Sequence, residues 1–240
     1  MSRILNIATY RFVAIADTDG LKACWLPKAQ ALGLKGTILV APEGINMFLA
    51  GAETTVRSFL AMVQDDPRFL GLDIKESWSD AVPFKRIKIK LKSEIVTFRQ
   101  AGVDPINAPA PFMNAHELKR RLDSGEDIVL LDTRNDFEFE KGTFKNARYW
   151  GNKNFTEFAE AAREHVDELA NKTVVSFCTG GIRCEKAAPF LQSIGATNVY
   201  QLQGGILRYF EDVGRDHYIG DCFVFDERRS VDPSLERSEG

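Results

Sequence analysis

The sequence predicts two mixed domains in series, an α+β sandwich followed by an α/β domain on a parallel sheet. Three patterns predict it. Residues 1–96 read as strand, helix, strand, strand, helix, strand; residues 112–218 alternate strands with helices; and residues 97–111 lose apolar periodicity, with Gly102, Asp104, Pro105, Pro109 and Pro111 marking an ordered linker. With 240 residues, 44% of them hydrophobic, the chain has enough apolar surface for two cores. Residues 219–240 read as a C-terminal tail, charged and mobile from Arg228 onward.

In the first domain the opening strand covers Ile7 to Ile15. A helix from Asp19 to Leu32 follows, because Leu21, Trp25, Leu26 and Ala29 recur at helical spacing. Cys24 lies in that helix with neither basic nor glycine-rich neighbours, and it reads as a core filler. A hairpin comes next, Thr37 to Val40 and Ile45 to Ala50, turning through Pro42, Glu43 and Gly44. The helix from Glu53 to Val63 carries Val56, Phe59, Leu60 and Val63 on one face and ends before Pro67. One long strand or a strand pair then occupies Ile74 to Val96. This order is that of a ferredoxin-like sandwich.

Within the last stretch Arg86, Lys88, Lys90 and Lys92 alternate with Ile87, Ile89 and Leu91. A strand would bury the aliphatics and array four cations on its other face, about 6.6 Å apart at two strand rises. That face is either a solvated sheet surface or a contact for nucleic-acid phosphates, and the sequence leaves both open.

In the second domain Asn114 caps a helix from Ala115 to Leu122, and Ile128 to Leu131 forms a strongly apolar strand that ends at Asp132 and Arg134. Residues Phe155 to Ala170 read as helical, Thr173 to Phe177 as a strand, Asn198 to Gln201 as a short strand, and Ile206 to Phe210 as a helix. Strands alternating with helices predict a parallel sheet covered on two faces.

The chemistry concentrates where the apolar run Val174, Val175, Ser176, Phe177 stops at Cys178. Thr179, Gly180, Gly181, Ile182 and Arg183 follow, and a helix opens near Arg183. The two glycines let backbone N–H groups turn inward, and the helix start adds its positive end, so the loop is a cradle for an anion, a thiolate or a persulfide. Cys178 is therefore expected to be the most reactive of the four thiols and the first to be alkylated. Cys184, in the first turn of that helix, reads as a packed residue in preference to a resolving thiol. Asp132 and Arg134 are expected to form a polar network that supports the loop.

Composition narrows the classes. A net charge of −3 excludes indiscriminate nucleic-acid binding and leaves only local basic patches such as Arg86 to Lys92. The scattered Cys24, Cys178, Cys184 and Cys222 give neither a zinc spacing nor a disulfide framework, which fits a reducing cytoplasm. No apolar run reaches membrane-spanning length, and Ile4 to Arg11 is too polar for a signal peptide. His165 and Asp167 point apart on a helix, His116 and His217 read as surface or capping residues, and no dinucleotide fingerprint is present. No metal site or organic cofactor is evident.

Loop length separates the reaction classes. A cysteine phosphatase loop is one residue longer between its cysteine and arginine, and Cys184 stands where that arginine would fall. The shorter loop resembles that of rhodanese domains, as do Leu131, Asp132, Thr133, Arg134, Phe137, Glu138, Gly142 and Ala147, and later Gln203, Gly204 and Gly205. Thr143 stands where a histidine often follows the glycine. Together with Lys35 to Asn46 and Cys178 to Lys186, the chain resembles the bacterial tRNA uridine(34) hydroxylase family over nearly its whole length.

The resemblance implies a ferredoxin-like (acylphosphatase-like) domain joined to a rhodanese-like domain, with Cys178 essential. It implies hydroxylation of the wobble uridine to 5-hydroxyuridine, with dioxygen as co-substrate. On this reading a folded tRNA is held by both domains, with uridine 34 flipped toward Cys178 and anticodon-arm phosphates along Arg86, Lys88, Lys90 and Lys92. The alternatives are a sulfurtransferase working through a Cys178 persulfide, and a binding protein in which the cysteine is inert.

Overall fold

The computed structural model describes residues 3–238. The chain divides into two compact units: one runs to Val96 and includes Phe225–Arg228, and the other runs from Thr97 to Val224 and resumes at Arg229.

The first unit contains β1 (Ile4–Phe12), α1 (Thr18–Ala31), β2 (Lys35–Ala41), β3 (Gly44–Gly51), α2 (Glu53–Gln64), β4 (Lys75–Ser79) and β5 (Ile87–Leu91). The sheet order is β4-β1-β3-β2-β5. Its first four strands pair antiparallel in the ferredoxin-like order, and β5 joins the free edge of β2 in parallel. The stretch from Ile74 to Val96 thus supplies two strands that never pair with each other. Once β1 and β2 flank β3, each has an open edge of unpaired N–H and C=O groups, and β4 and β5 cover one edge apiece.

Helix α2 buries Val56, Phe59, Leu60 and Val63 against the sheet, whose core side carries Leu5, Ile7, Ile38, Val40, Met47 and Leu49. Helix α1 buries Trp25 and Ala29, and Cys24 is exposed instead of filling the core. It sits about 100° around the helix from Trp25 and so leaves the buried stripe. On β5 Ile89 is buried while Arg86, Lys88, Lys90 and Lys92 are exposed. The alternation is that of a strand with one solvated face.

The second unit contains β6 (Phe112–Met113), α3 (Ala115–Asp123), β7 (Ile128–Asp132), α4 (Asp136–Phe139), β8 (Gly142–Phe144), α5 (Phe158–His165), β9 (Thr173–Phe177), α6 (Cys184–Ser193), β10 (Asn198–Leu202), α7 (Gly205–Val213), β11 (Tyr218–Gly220), β12 (Cys222–Phe223) and β13 (Ser230–Val231). A parallel sheet runs β6-β10-β9-β7. Asn114 caps α3 by accepting the Glu117 N–H at 2.8 Å. Alternate residues of β9 point to opposite faces. Val175 and Phe177 enter a core with Leu118 of α3 and Ile206, Tyr209 and Phe210 of α7. The helical stretch expected from Phe155 to Ala170 is shorter: α5 ends at His165 and a 3-10 turn covers Val166–Leu169.

Two stretches expected to be irregular are built into this unit. Phe98 stacks on Phe155 at 4.7 Å and meets Phe190 edge-on at 5.4 Å, so the connecting segment is anchored by burial. The C-terminal residues are not a loose tail, because β12 pairs with β13, and Ser230 and Val231 are buried. Arg228, in the first unit, chelates Asp226 and donates to Ser77 Oγ at 2.8 Å. Arg228 and Asp226 thus pair away from solvent, while Glu227, Arg229, Glu236 and Arg237 are exposed.

Candidate active site around Cys178

Cys178 stands at the carboxyl end of β9, an interior strand, which is where open parallel sheets place ligands. Register pairs Asp132 of β7 with Phe177, so the next residue, Thr133, reaches the loop. Its N–H and its hydroxyl both donate to the Phe177 carbonyl at 3.0 Å. The other side of the loop is set by the glycine turn before α7. Ile206 N–H donates to the Cys178 carbonyl and Leu207 N–H to the Thr179 carbonyl, each at 3.0 Å. Gly205 has φ +67°, and a Cβ there would meet the Cys178 carbonyl at 2.4 Å and Gly181 N at 2.6 Å. No other residue type fits that approach without moving the loop.

The Cys178 side chain is wholly buried. Its Sγ accepts the Gly181 N–H at 3.2 Å, and the Arg183 N–H is also directed at it. Burial pushes the thiol up, but the Cys184 hydrogen bond, the Arg183 charge and these amides outweigh it and hold Cys178 below its ordinary value. These contacts favour the thiolate over the thiol. Access is a separate matter. Cys24 is exposed and Cys178 is not, so first alkylation at Cys178 requires the loop to open, whereas Cys24 meets the reagent directly.

Arg183 does not point freely into the loop. Its guanidinium forms a two-pronged pair with Glu138, Nη1 to Oε2 at 2.6 Å and Nη2 to Oε1 at 2.7 Å, with Glu138 fully buried. Glu138 also accepts the Asn135 N–H at 3.2 Å, and the Thr179 hydroxyl lies 3.2 Å from Oε1. Burial pushes the Glu138 carboxyl up, yet the facing Arg183 holds it below the usual carboxylate range. Glu138 clamps the loop from α4. An acid three residues after Asn135 also fits a helix-capping pattern, which hides this role in the sequence.

Asp132 and Arg134 form the expected buried pair, at 2.9 and 2.7 Å. Their further bonds lead to β8: Thr143 Oγ1 donates to Asp132 at 2.9 Å, and Arg134 Nη2 donates to the Gly142 carbonyl at 2.5 Å. Thr143 thus has a place in the network. The pair braces the end of β7 against β8, while Thr133 and Glu138 hold the loop itself. Ile182 is half-buried, and Gly180 has open space where a Cβ would sit.

Two more thiols converge on the loop. Cys184 is fully buried, with Thr133 Oγ1 at 3.7 Å from its sulfur. Burial and the neighbouring Cys178 push Cys184 well up, so it keeps its proton. Cys222 is brought by β12 beside Thr179, and burial pushes its thiol up to about 12. Among the described residues no group of three His, Cys, Asp or Glu side chains is placed to hold a metal ion, and no helix is long and apolar enough to cross a membrane. His165 pairs with Glu168 and His217 with Asp123. Arg86, Lys88, Lys90 and Lys92 belong to the other unit.

Comparison with known proteins agrees with this division. A family model described as the UPF0176 acylphosphatase like domain matches residues 4–95, and the rhodanese-like domain matches residues 114–212. A tRNA uridine(34) hydroxylase of Variovorax paradoxus is 55% identical over 98% of this chain and 91% of its own length. Proteins of the same name from Bordetella avium and Cupriavidus taiwanensis are 52% and 50% identical, over 97% and 98% of this chain and 98% and 85% of theirs. These matches cover nearly the whole chain, both units included. The chain belongs to the tRNA uridine(34) hydroxylase family.

Proposed function

We propose that this protein hydroxylates uridine 34 of tRNA at C5 to give 5-hydroxyuridine, with dioxygen as co-substrate and Cys178 as the essential thiolate. The observation that carries this is the identity of 50–55% to relatives of that name over nearly the full chain. A buried thiolate in a loop clamped by Glu138 supports it chemically, since such a group reacts with an electron-poor ring brought to it. The wobble base leaves its stack to reach Cys178. Phosphates of the anticodon arm run along Arg86, Lys88, Lys90 and Lys92, which position the RNA without reading its sequence. The protein works in the cytoplasm, where its substrate is.

The test is nucleoside mass spectrometry of tRNA from cells lacking the gene and complemented with the natural chain or with Cys178→Ser. The natural chain restores 5-hydroxyuridine and the variant does not. Unchanged 5-hydroxyuridine in the deletion strain, with thiosulfate-dependent sulfur transfer that is lost in Cys178→Ser, would replace this reading with the sulfurtransferase.

A further inference from the structure

Cys178 and Cys184 are both buried in the loop that opens α6. Both are wholly buried, and Thr133 Oγ1 lies 3.7 Å from the Cys184 sulfur while donating at 3.0 Å to the carbonyl of Phe177, the residue before Cys178. Gly181 fixes the approach from both sides: its N–H donates to Cys178 Sγ at 3.2 Å, and its carbonyl accepts the Cys184 N–H at 3.0 Å. The third buried thiol, Cys222, donates to the Phe223 carbonyl at 3.6 Å instead. A role for Cys178 as a lone nucleophile gives Cys184, a second thiol buried at the same loop, nothing to do.

We infer that Cys178 and Cys184 together are the two-electron reductant of the hydroxylation, closing to a disulfide once per turnover. This rests on the hydroxylase reading above. Dioxygen takes four electrons: two come from the uracil C5–H bond and two from the sulfur pair. One oxygen atom replaces the hydrogen at C5 and the other leaves as water. The C5–H and O–O bonds break, while a C5–O bond and an S–S bond form. Counting Cys178 as thiolate and Cys184 as thiol, the step takes up one proton, and the C5 hydrogen, the Cys184 hydrogen and that proton appear in the new hydroxyl and the water.

Cys184 suits the second position because it keeps its proton beside the Cys178 thiolate, so only one sulfur is nucleophilic at the outset. A small dithiol then reopens the disulfide by thiol exchange. The pair is a catalytic unit, with Cys184 a reacting atom of the second half of the cycle.

The experiment is a turnover count. The full chain is reduced, stripped of reductant and mixed with excess unmodified tRNA transcript in air-saturated buffer. 5-Hydroxyuridine and the Cys178–Cys184 disulfide peptide are both measured by mass spectrometry. Product should plateau at one per chain, the disulfide should rise in step with it, and dithiothreitol should restart turnover. Cys184→Ala should hold its melting temperature and lose the reductant-free product, while Cys24→Ser, on the exposed side of α1, should match the natural chain. Product in large excess over chains without added reductant, or a full plateau in Cys184→Ala, would overturn the inference and leave the hydroxylase reading intact. No 5-hydroxyuridine with or without dithiothreitol would overturn both.

Discussion

Replacing Glu138 with glutamine removes one charge from a site that encloses its partner. Glu138 is fully buried, the Arg183 side chain is 7% exposed, and the two bonds between them are 2.6 and 2.7 Å long. Glutamine keeps one acceptor oxygen but turns an amide donor toward the guanidinium, so one bond is lost and the Arg183 charge faces a neutral group. Breaking a buried pair in this way costs about 3–5 kcal/mol. At roughly 2–4 °C per kcal/mol for a chain of this size, the melting temperature should fall by roughly 6–20 °C. Thermal unfolding followed by circular dichroism measures this, with Glu76→Gln as control. Glu76 makes the same kind of pair with Arg57, but at side-chain exposures of 33% and 48%, where solvent screens it.

The pH dependence has a defined sign. The folded carboxyl of Glu138 sits below its unfolded value, so its contribution is present above about pH 4.3 and is lost as pH falls through the folded value. The stability gap between the natural chain and Glu138→Gln should therefore be constant near neutrality and shrink on acidification. A melting temperature for Glu138→Gln no lower than that of Glu76→Gln would refute the clamp.

Gly205→Ala should displace the loop and abolish activity, because its Cβ would meet backbone atoms at 2.4 and 2.6 Å. Gly180→Ala, with open space, should melt like the natural chain, and equal melting of the two variants would refute the close approach at Gly205. Ultraviolet titration should find thiolate absorbance that Cys178→Ser removes and that persists well below the ordinary thiol value of about 8.5, since Arg183 and the loop amides favour the charged form; a signal appearing only above that value contradicts the site electrostatics. Replacing Lys88 and Lys90 by alanine should weaken tRNA binding for all sequences and lower the salt slope by roughly one unit for each phosphate no longer neutralised, and an unchanged slope would make β5 a solvated sheet face.

The sequence by itself determined what is local. Helix α2 was legible because Val56, Phe59, Leu60 and Val63 repeat at its period, and α3 because Asn114 supplies a cap. The loop from Cys178 to Arg183 was legible because glycines, a cysteine and an arginine after an apolar strand have few other uses. What the tertiary structure decided is what depends on partners distant in the chain. Strands β4 and β5 go to opposite edges because those edges are open, and the two- and three-residue strands β6, β8, β11, β12 and β13 exist only through pairing, with too few residues to show a period. The same holds at the site. Glu138 reaches Arg183 across 45 positions, and Thr133 reaches the Cys184 sulfur across 51. Cys178 is enclosed and Cys24 open, although nothing adjacent to either in sequence states its exposure. Periodicity and residue type report on the nearest few residues, whereas burial and charge pairing are sums over neighbours that only the folded chain assembles.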